Sequence, residues 1–245
     1  MINKIILSPP FSNIYPDIKG TTKIIGTYTK EKRFGLHRVL TTLRYKNKSF
    51  YNNVGLKNPG IDKAKSNKSK IISVSLLNKN DWFYIREVLS KNVKMLGIEF
   101  NISCPNASVQ NINKYILEDA KKITKNVIIK MPHGIHIQYD QVQKYVDIGC
   151  NFFHISNTQK TKYGAMSGRK LKNNNLSLIY KLKLKEENFK IIGGGGIYNI
   201  DDINDYKTAG ADFFSLSTAL LNPYNVYKII NYMSQYQKSS LNHNI

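Results

Sequence analysis

Short runs of polar residues stand at the ends of several apolar segments of the sequence. The residue types in these runs suit the binding of one small ligand. The first run closes the apolar segment 95–102 and supplies amides, a hydroxyl and a thiol: Asn101, Ser103, Cys104 and Asn106. Such groups can donate and accept hydrogen bonds around a planar molecule. A free cysteine is usually a buried apolar residue, which is how we interpret Cys150 in DIGCNFF. Cys104 differs because its neighbours are polar, and we treat it as a candidate reactive thiol.

Three further runs add amides, hydroxyls and a cation but almost no carboxylates. They contain Asn53 with Gly55 and Leu56, then Lys130, then Ser156 with Asn157 and Thr158. This combination suits an anionic ligand that is rich in amide groups. It argues against a metal site, which would need clustered aspartate, glutamate or histidine ligands. The sequence therefore predicts no bound metal.

Four consecutive glycines at 193–196 indicate a phosphate site. They follow a short apolar segment, and Ser217 and Thr218 stand at the end of the next apolar segment. Glycine lets the backbone approach a phosphate without a Cβ in the way. A glycine run alone is also typical of a tight turn. Its combination with hydroxyls at the end of the following segment favours phosphate binding.

Positive charge is in excess and is spread along the chain. Among the 245 residues, 37 are Lys or Arg and 16 are Asp or Glu, which gives a formal net charge of +21. The excess is dispersed lysine, and the densest cluster, at 63–70, precedes an apolar segment as a solvated loop would. This distribution favours a solvated surface without a specific nucleic-acid partner. A functional polyanion site is the alternative.

Cysteine number and the length of apolar runs exclude several classes of protein. Two cysteines cannot form a disulfide framework or a four-cysteine zinc site. No apolar run reaches the roughly 18 residues of a membrane span, and the N-terminus does not resemble a signal peptide. We therefore expect a cytoplasmic protein without a membrane span.

The elements that must position the polar runs alternate between short β-rich segments and segments of helical period. The predicted strands are 3–8, 22–28, 71–77, 95–102, 126–131, 151–156, 190–193 and 212–217. The predicted helices lie near 58–66, 79–92, 112–125, 138–149, 173–187, 200–209 and 222–236. This pattern predicts a single-domain α/β protein, a (β/α)8 TIM barrel over 1–236 with a frayed tail at 237–245. A doubly wound open sheet is the alternative.

Six motifs resemble those of the dihydroorotate dehydrogenases and occur in the same order. They are NNVGLKNPG (52–60), NISCPN (101–106), VIIKMP (127–132), SNT with GAMSGRKLK (156–158 and 164–172), IIGGGGI (191–197) and STAL (217–220). NISCPN and the SNT/GAMSG pair are the most specific parts. The resemblance implies a barrel that contains FMN and oxidises dihydroorotate to orotate in pyrimidine (UMP) biosynthesis.

The resemblance also implies roles for individual residues. Cys104 is implied as the base that removes the C5 proton, while the C6 hydride passes to flavin N5. The implied substrate-binding residues are Asn53, Gly55, Leu56, Asn101, Asn106, Asn157 and Thr158. The implied FMN-binding residues are Gly26, Thr27, Lys130, Ser156, Gly168, Gly194, Gly195, Gly196, Ser217 and Thr218. The family also suggests a homodimer, with fumarate, or NAD through a partner subunit, as electron acceptor.

Two segments depart from the family pattern. After the first strand the chain has Ser8, Pro9 and Pro10, where the family usually places a small-residue flavin contact. Cysteine-type members carry a substrate-contacting lysine where Gly26 stands, and Lys23 is three residues away on the opposite strand face. The missing cation predicts weak binding of dihydroorotate and its partial recovery in Gly26→Lys.

Two other functions are alternatives. The tRNA-dihydrouridine synthases are also FMN barrels with a loop cysteine, and the charge of +21 favours an RNA ligand. They typically carry a Gly-Cys-Pro turn and a separate RNA-binding domain, whereas this chain has Ser103, Cys104 and Pro105 and a single predicted domain. A non-catalytic or altered-substrate flavoprotein would also account for Gly26.

Overall fold

The computed structural model describes residues 1–34, 43–46, 49–65, 67–92, 94–102, 104, 107–131, 139–156, 158–185 and 188–242. Its strands are β1 (Ile5–Leu7), β2 (Thr21–Tyr28), β3 (Arg44–Lys46), β4 (Ser49–Asn52), β5 (Lys70–Val74), β6 (Gly97–Asn101), β7 (Val127–Lys130), β8 (Phe152–Ile155), β9 (Gln159–Thr161), β10 (Gly164–Gly168), β11 (Lys190–Gly194) and β12 (Phe213–Leu216). Eight of them close into a barrel in the order β1-β12-β11-β8-β7-β6-β5-β2. Neighbouring barrel strands are parallel. The predicted TIM-barrel fold and its eight strands are confirmed.

Helices follow most of the barrel strands. They are α1 (Asp81–Asn92), α2 (Lys114–Ile123), α3 (Tyr139–Asp147), α4 (Lys172–Lys185), α5 (Ile200–Thr208) and α6 (Pro223–Asn242). The predicted helix near 58–66 is wrong, since that segment forms only the 3-10 helix Ile61–Lys63. Gly60 enters this turn at φ +90° and Ala64 leaves it in an extended conformation, so no α-helix forms. The last helix passes its predicted end at 236, and the segment predicted as a frayed tail is helical up to Asn242.

The barrel interior has an apolar floor with charged and polar groups above it. The floor consists of buried side chains: Ile6, Ile24, Ile71, Ile128, Phe152 and Ile192. Because successive side chains on a strand alternate between faces, the residue two positions further along each strand also points inward. At this next level Ser73, Glu99 and His154 are fully buried. The polar level therefore lies between the apolar floor and the C-terminal ends of the strands, where (β/α)8 barrels place their active sites.

A second, antiparallel sheet covers the C-terminal side of the barrel. Its strand order is β3-β4-β10-β9. The segment with β3 and β4 leaves from the end of β2, and the segment with β9 and β10 leaves from the end of β8. The two segments pair directly, with Ala165 opposite Asn52 and Gly168 opposite Ser49. The sequence analysis did not predict this sheet, which joins two of the loops that carry candidate site residues.

Candidate active site

The ends of β2 and β6 are joined at the barrel mouth by a hydrogen bond between two predicted site residues. Asn101 is 6% exposed, and its Nδ2 donates to Thr27 Oγ1 at 3.0 Å. Cys104 follows on the same loop and is partly exposed. Its backbone carbonyl accepts from the Ala107 N–H at 3.2 Å. The structure thus brings Thr27, Asn101 and Cys104 to one mouth, whereas Asn106 and Asn157 lie outside the described residues.

Lys130 ends β7 as a buried cation. Its side chain is 7% exposed, and it stands in register with Asn101 on one side and His154 on the other. Within the described part of the chain its ammonium makes no hydrogen bond or ion pair. The charges of Lys130 and Glu99 nevertheless interact across the barrel interior. A buried ammonium is costly unless it gains a partner. Lys130 is therefore suited to a ligand that presents an acceptor or negative charge at the mouth.

A chain of hydrogen bonds runs from the barrel interior to the end of β8. Glu99 Oε2 lies 2.5 Å from His154 Nδ1, and His154 Nε2 lies 2.5 Å from Ser156 Oγ. Ser73 Oγ donates to the other Glu99 oxygen at 2.7 Å. The sequence analysis missed Glu99 and His154 as parts of the site. Their inward position could have been read from alternation, because His154 lies two residues after Phe152 on a buried strand.

Burial and neighbouring charges shift the pKa values of Glu99 and His154. Burial alone would raise the pKa of the Glu99 carboxyl, but His154, Lys130 and the Ser73 hydroxyl hold that pKa well below its usual value. Burial lowers the pKa of the His154 imidazole and outweighs the opposing effect of Glu99. These directions favour a carboxylate at Glu99 and a neutral imidazole at His154, and the Glu99 charge then compensates that of Lys130.

The small sheet positions the predicted substrate-binding residues of two loops. Asn53 follows β4 and packs on β10, since a Cβ at Gly164 would lie 2.5 Å from Asn53 Oδ1. Gly55 and Leu56 both adopt positive φ, at +65° and +59°. Thr158 precedes β9 in the same sheet. Pairing of β4, β10 and β9 therefore brings Asn53 and Thr158 onto one structural unit above the barrel.

The glycine run ends in a tight turn at Gly195 and Gly196. Gly195 and Gly196 have φ of +88° and +81°, and Gly168, which packs beside them, has +102°. A Cβ at Gly194 would lie 2.7 Å from Ser215 Cβ, so this position also needs glycine for packing. Over the described residues, the N–H groups of Gly195 and Gly196 find no acceptor in the protein. Two such donors form a natural anion cradle.

The end of β12 offers backbone rather than side-chain donors. Ser217 Oγ already donates to the Pro9 carbonyl at 3.0 Å, and the Thr218 hydroxyl is hydrogen-bonded to Tyr198. Thr218 starts the 3-10 helix Thr218–Leu221 that follows the strand. The binding of a phosphate by Ser217 and Thr218 stays a prediction. The groups best placed to donate to an anion here are N–H groups at the start of a helical turn, since both hydroxyls already have partners.

Asp202 holds the glycine turn in place through its neighbours and was not among the site residues predicted from the sequence. Its side chain is buried and accepts hydrogen bonds from Arg169 and, at 2.5 Å, from Lys172 Nζ. The same carboxylate accepts from the backbone N–H of Tyr198 at 2.8 Å. Arg169 in turn donates to the Gly196 carbonyl at 3.0 Å. Burial opposes ionisation, but Arg169 and Lys172 lower the pKa of Asp202.

Asp202→Asn is expected to lower the free energy of unfolding by about 1–3 kcal/mol, because it weakens two charged hydrogen bonds of a buried carboxylate. Urea unfolding measures the difference, and Asp201→Asn is the matched control because Asp201 is exposed in the same helical turn. Since the folded pKa is lowered, the ionic stabilisation is present above about pH 4 and fades in more acidic solution. An equal effect of both substitutions, or a difference that grows in acid, would contradict this role.

The backbone at Gly26 leaves no room for the lysine that the family resemblance leads us to expect there. Its φ is +115°, and a Cβ would collide with the Ser73 carbonyl oxygen and lie 2.9 Å from the Tyr28 nitrogen. The expected recovery in Gly26→Lys is therefore wrong for this backbone. Lys23 does not fill the space either, because its ammonium points to the outer face and contacts the Tyr15 carbonyl and Asp17.

The described residues lack two further kinds of feature. No helix among them is long and apolar enough to cross a membrane. No group of three or more His, Cys, Asp or Glu side chains in the same residues could hold a metal ion.

Comparison with known proteins points to one family. The family model described as "Dihydroorotate dehydrogenase" matches residues 145–236. A relative from Malacoplasma penetrans, named "Dihydroorotate dehydrogenase B (NAD(+)), catalytic subunit", is 26% identical over 95% of this chain and 86% of its own length. A relative of the same name from Fusobacterium nucleatum is 26% identical over 90% of this chain and 83% of its own.

Solved structures agree with the barrel fold. The crystal structure of DHODH from Eimeria tenella in complex with ferulenol superposes with a TM-score of 0.72 over 97% of this chain and 82% of that protein. Its sequence is 14% identical, so this similarity concerns the fold alone.

Proposed function

We propose that this chain, which belongs to the dihydroorotate dehydrogenase family, uses FMN to oxidise dihydroorotate to orotate in pyrimidine biosynthesis. The observation that carries the proposal is Lys130, a buried ammonium at the barrel mouth that makes no hydrogen bond or ion pair with the described residues. A cation at this place would stabilise the negative charge that a flavin ring gains on reduction. The same mouth holds Asn101 and the thiol of Cys104.

The remaining residues at the mouth fit the other parts of FMN. The N–H groups of Gly195 and Gly196 and the start of the helical turn at Thr218 would hold its phosphate. We assign Gly168 and Gly194 to the same end of the molecule. We assign Gly26, Thr27 and Ser156 to its ring and ribityl chain. When bound, FMN would supply the hydride acceptor that no amino-acid side chain provides.

The substrate would lie between the flavin site and the loop that carries Cys104. Amides are the groups that this chain offers to the dihydroorotate ring, and we propose Asn53, Asn101, Asn106 and Asn157 for this role, together with Gly55, Leu56 and Thr158. Cys104 Sγ would remove the C5 proton, since the thiolate is the basic form of cysteine. Cys104 is partly exposed beside the mouth, which is compatible with this role.

The missing lysine at position 26 has a consequence for substrate binding. An ammonium about 4 Å from a carboxylate contributes roughly 4 kcal/mol at an effective dielectric constant near 20, before desolvation is counted. We therefore propose that this chain binds the dihydroorotate carboxylate less tightly than lysine-bearing relatives and has a higher KM.

We further propose NAD as the final electron acceptor, reached through a separate subunit. The support is the name of the relatives from M. penetrans and F. nucleatum, which are catalytic subunits of an NAD(+)-dependent enzyme. Purified alone, the chain should then oxidise dihydroorotate with an artificial dye but not with NAD. Direct reduction of NAD, or rapid turnover with fumarate, would contradict this assignment.

Lys130→Ala is expected to lower FMN occupancy or to slow flavin reduction, because loss of the cation destabilises the charged reduced ring by about 1–3 kcal/mol. Absorbance of the purified variant reports occupancy, and rapid mixing with dihydroorotate reports reduction. Lys190→Ala is the matched control, since Lys190 is exposed at the start of β11. Full occupancy and unchanged reduction in Lys130→Ala would contradict the role of Lys130.

The high positive charge keeps an RNA substrate as the alternative. Five lysines line a cavity of about 360 Å³ along the outer face of β2: Lys23, Lys57, Lys63, Lys65 and Lys70. Two of them already pair with Asp17, so the cavity is less cationic than its composition indicates. The test incubates the FMN-loaded protein with dihydroorotate in one arm and with tRNA in the other. Orotate formation with weak, salt-sensitive RNA binding supports the proposal, whereas a change in dihydrouridine content of the tRNA would reverse it.

A further inference from the structure

The hydrogen bonds around Glu99 have only one possible direction. A carboxylate accepts hydrogen bonds and cannot donate them. Ser73 Oγ, 2.7 Å from Glu99 Oε1, must therefore donate its proton to Glu99. His154 Nδ1, 2.5 Å from Glu99 Oε2, must carry a proton for the same reason. Both Glu99 and His154 are fully buried, so water does not compete for these contacts.

The direction at Glu99, taken together with a neutral His154, determines the direction further along both chains of hydrogen bonds. A neutral imidazole that is protonated at Nδ1 has a bare Nε2, which can only accept. Ser156 Oγ lies 2.5 Å from that nitrogen and must donate to it. On the other side of Glu99, the proton of the Ser73 hydroxyl is used in the hydrogen bond to Glu99. The Thr27 hydroxyl therefore donates to Ser73 Oγ at 3.0 Å. Thr27 in turn accepts from Asn101 Nδ2.

Ser156 is the member of this chain of hydrogen bonds that lies at the barrel mouth. It follows β8 and is partly exposed, whereas His154 behind it is not exposed at all. It also borders the glycine turn, since a Cβ at Gly194 would lie 2.9 Å from Ser156 Cβ. A hydroxyl has one proton, and that of Ser156 is already used. Only oxygen lone pairs are left to face a ligand.

We propose that Glu99 is a positioning residue which, through His154, holds the Ser156 hydroxyl as a hydrogen-bond acceptor for an N–H or O–H group of the bound cofactor. The identity of that cofactor as FMN, whose ring imide and ribityl hydroxyls are such donors, rests on the proposed function. The direction of the hydrogen bonds does not depend on the proposed function. A ligand that presents an acceptor to Ser156 meets repulsion between lone pairs and binds less well.

The direction is tested by nitrogen NMR of protein with ¹⁵N-labelled histidine, with His154→Gln used to assign the His154 signals. The expected spectrum has a protonated Nδ1 with a strongly downfield proton and an unprotonated Nε2 between about pH 6 and 8. In Glu99→Gln the downfield proton should move upfield or disappear, because the charged acceptor is lost. Protonation of Nε2 in the wild-type protein would overturn the proposal, since Ser156 would then be free to donate.

The contact with the cofactor is tested by titrating the FMN-free protein with FMN and following the quenching of flavin fluorescence. Ser156→Ala should raise the Kd by about 2- to 12-fold, the usual effect of one lost hydrogen bond. Ser156→Thr keeps the hydroxyl and should restore most of the affinity. Ser90→Ala is the control, because Ser90 lies on α1 and bonds only the Arg86 carbonyl.

The outcomes of the two measurements are separable. Equal FMN affinity of Ser156→Ala and wild type would overturn the contact between Ser156 and the cofactor. Absence of FMN binding in the wild-type protein would refute the proposed function, while the NMR measurement would still decide the direction of the hydrogen bonds.

Discussion

Replacing Cys104 with alanine is expected to leave FMN bound and to slow flavin reduction by dihydroorotate about 10²- to 10⁴-fold, the usual contribution of a general base. Cys104 lies on the loop after β6 and is assigned no FMN contact, so its removal should not affect cofactor affinity. Anaerobic rapid mixing with dihydroorotate measures the rate, and flavin absorbance before mixing measures occupancy. In the wild-type protein the rate should rise as pH increases from about 6 towards 9, because free thiols ionise near pH 8.5.

Cys150→Ala is the matched control for this experiment. Cys150 is 2% exposed and packs in the main core, and burial raises its pKa to about 11. It is therefore an inert thiol, and its loss should cost some stability without changing the rate of flavin reduction. Equal slowing by both substitutions would show damage to the fold instead of loss of a base. A rate that does not change with pH would count against a thiolate.

Gly26→Lys is expected to lower the free energy of unfolding by about 3 kcal/mol or more. The residue has φ +115°, which costs about 1–3 kcal/mol in a residue with a side chain, and the clash with the Ser73 carbonyl adds the cost of overpacking. Because Thr27 follows directly, the backbone shift should also disturb the mouth and lower FMN affinity. Denaturant unfolding and an FMN titration measure the two effects.

Gly20→Lys separates the two causes. Gly20 also has positive φ, at +82°, but a Cβ there meets nothing within 4 Å. Its substitution should therefore cost only the conformational part and leave FMN binding unchanged. If Gly26→Lys is as stable as Gly20→Lys and binds dihydroorotate more tightly than wild type, the backbone at position 26 accommodates a side chain and the position is a lysine site.

The barrel could be predicted from sequence because its strands are short, apolar and rich in β-branched residues. Segments such as VIIK at β7 and KII at the start of β11 are separated by helices that begin at clear signals, for example Asp81. The small sheet could not be predicted in this way. Its strands β3 and β9 have only three residues and no apolar alternation, and β4 pairs with β10 across more than a hundred residues of sequence.

The site was predictable only where local motifs define it. Cys104, Lys130 and the glycine turn stand at or just after strand ends, where a barrel places its active site, and this position makes them candidates from the sequence alone. The groups that hold these residues in place were missed. Glu99 and His154 lie within apolar strands, where an ionisable side chain is rare unless it has a partner, and the partner comes from another strand. Asp202 looks like an ordinary helix-starting residue, and its contact with Arg169 depends on the fold.

The central claim, that this barrel uses FMN to oxidise dihydroorotate, is tested most directly by the absorbance spectrum of the purified, FMN-loaded protein before and after adding dihydroorotate without oxygen. The account predicts a yellow protein whose flavin absorbance bleaches on addition of dihydroorotate and returns with an electron acceptor, with orotate as the product. A protein that binds FMN but is not bleached by dihydroorotate, although dithionite reduces it, would contradict the claim.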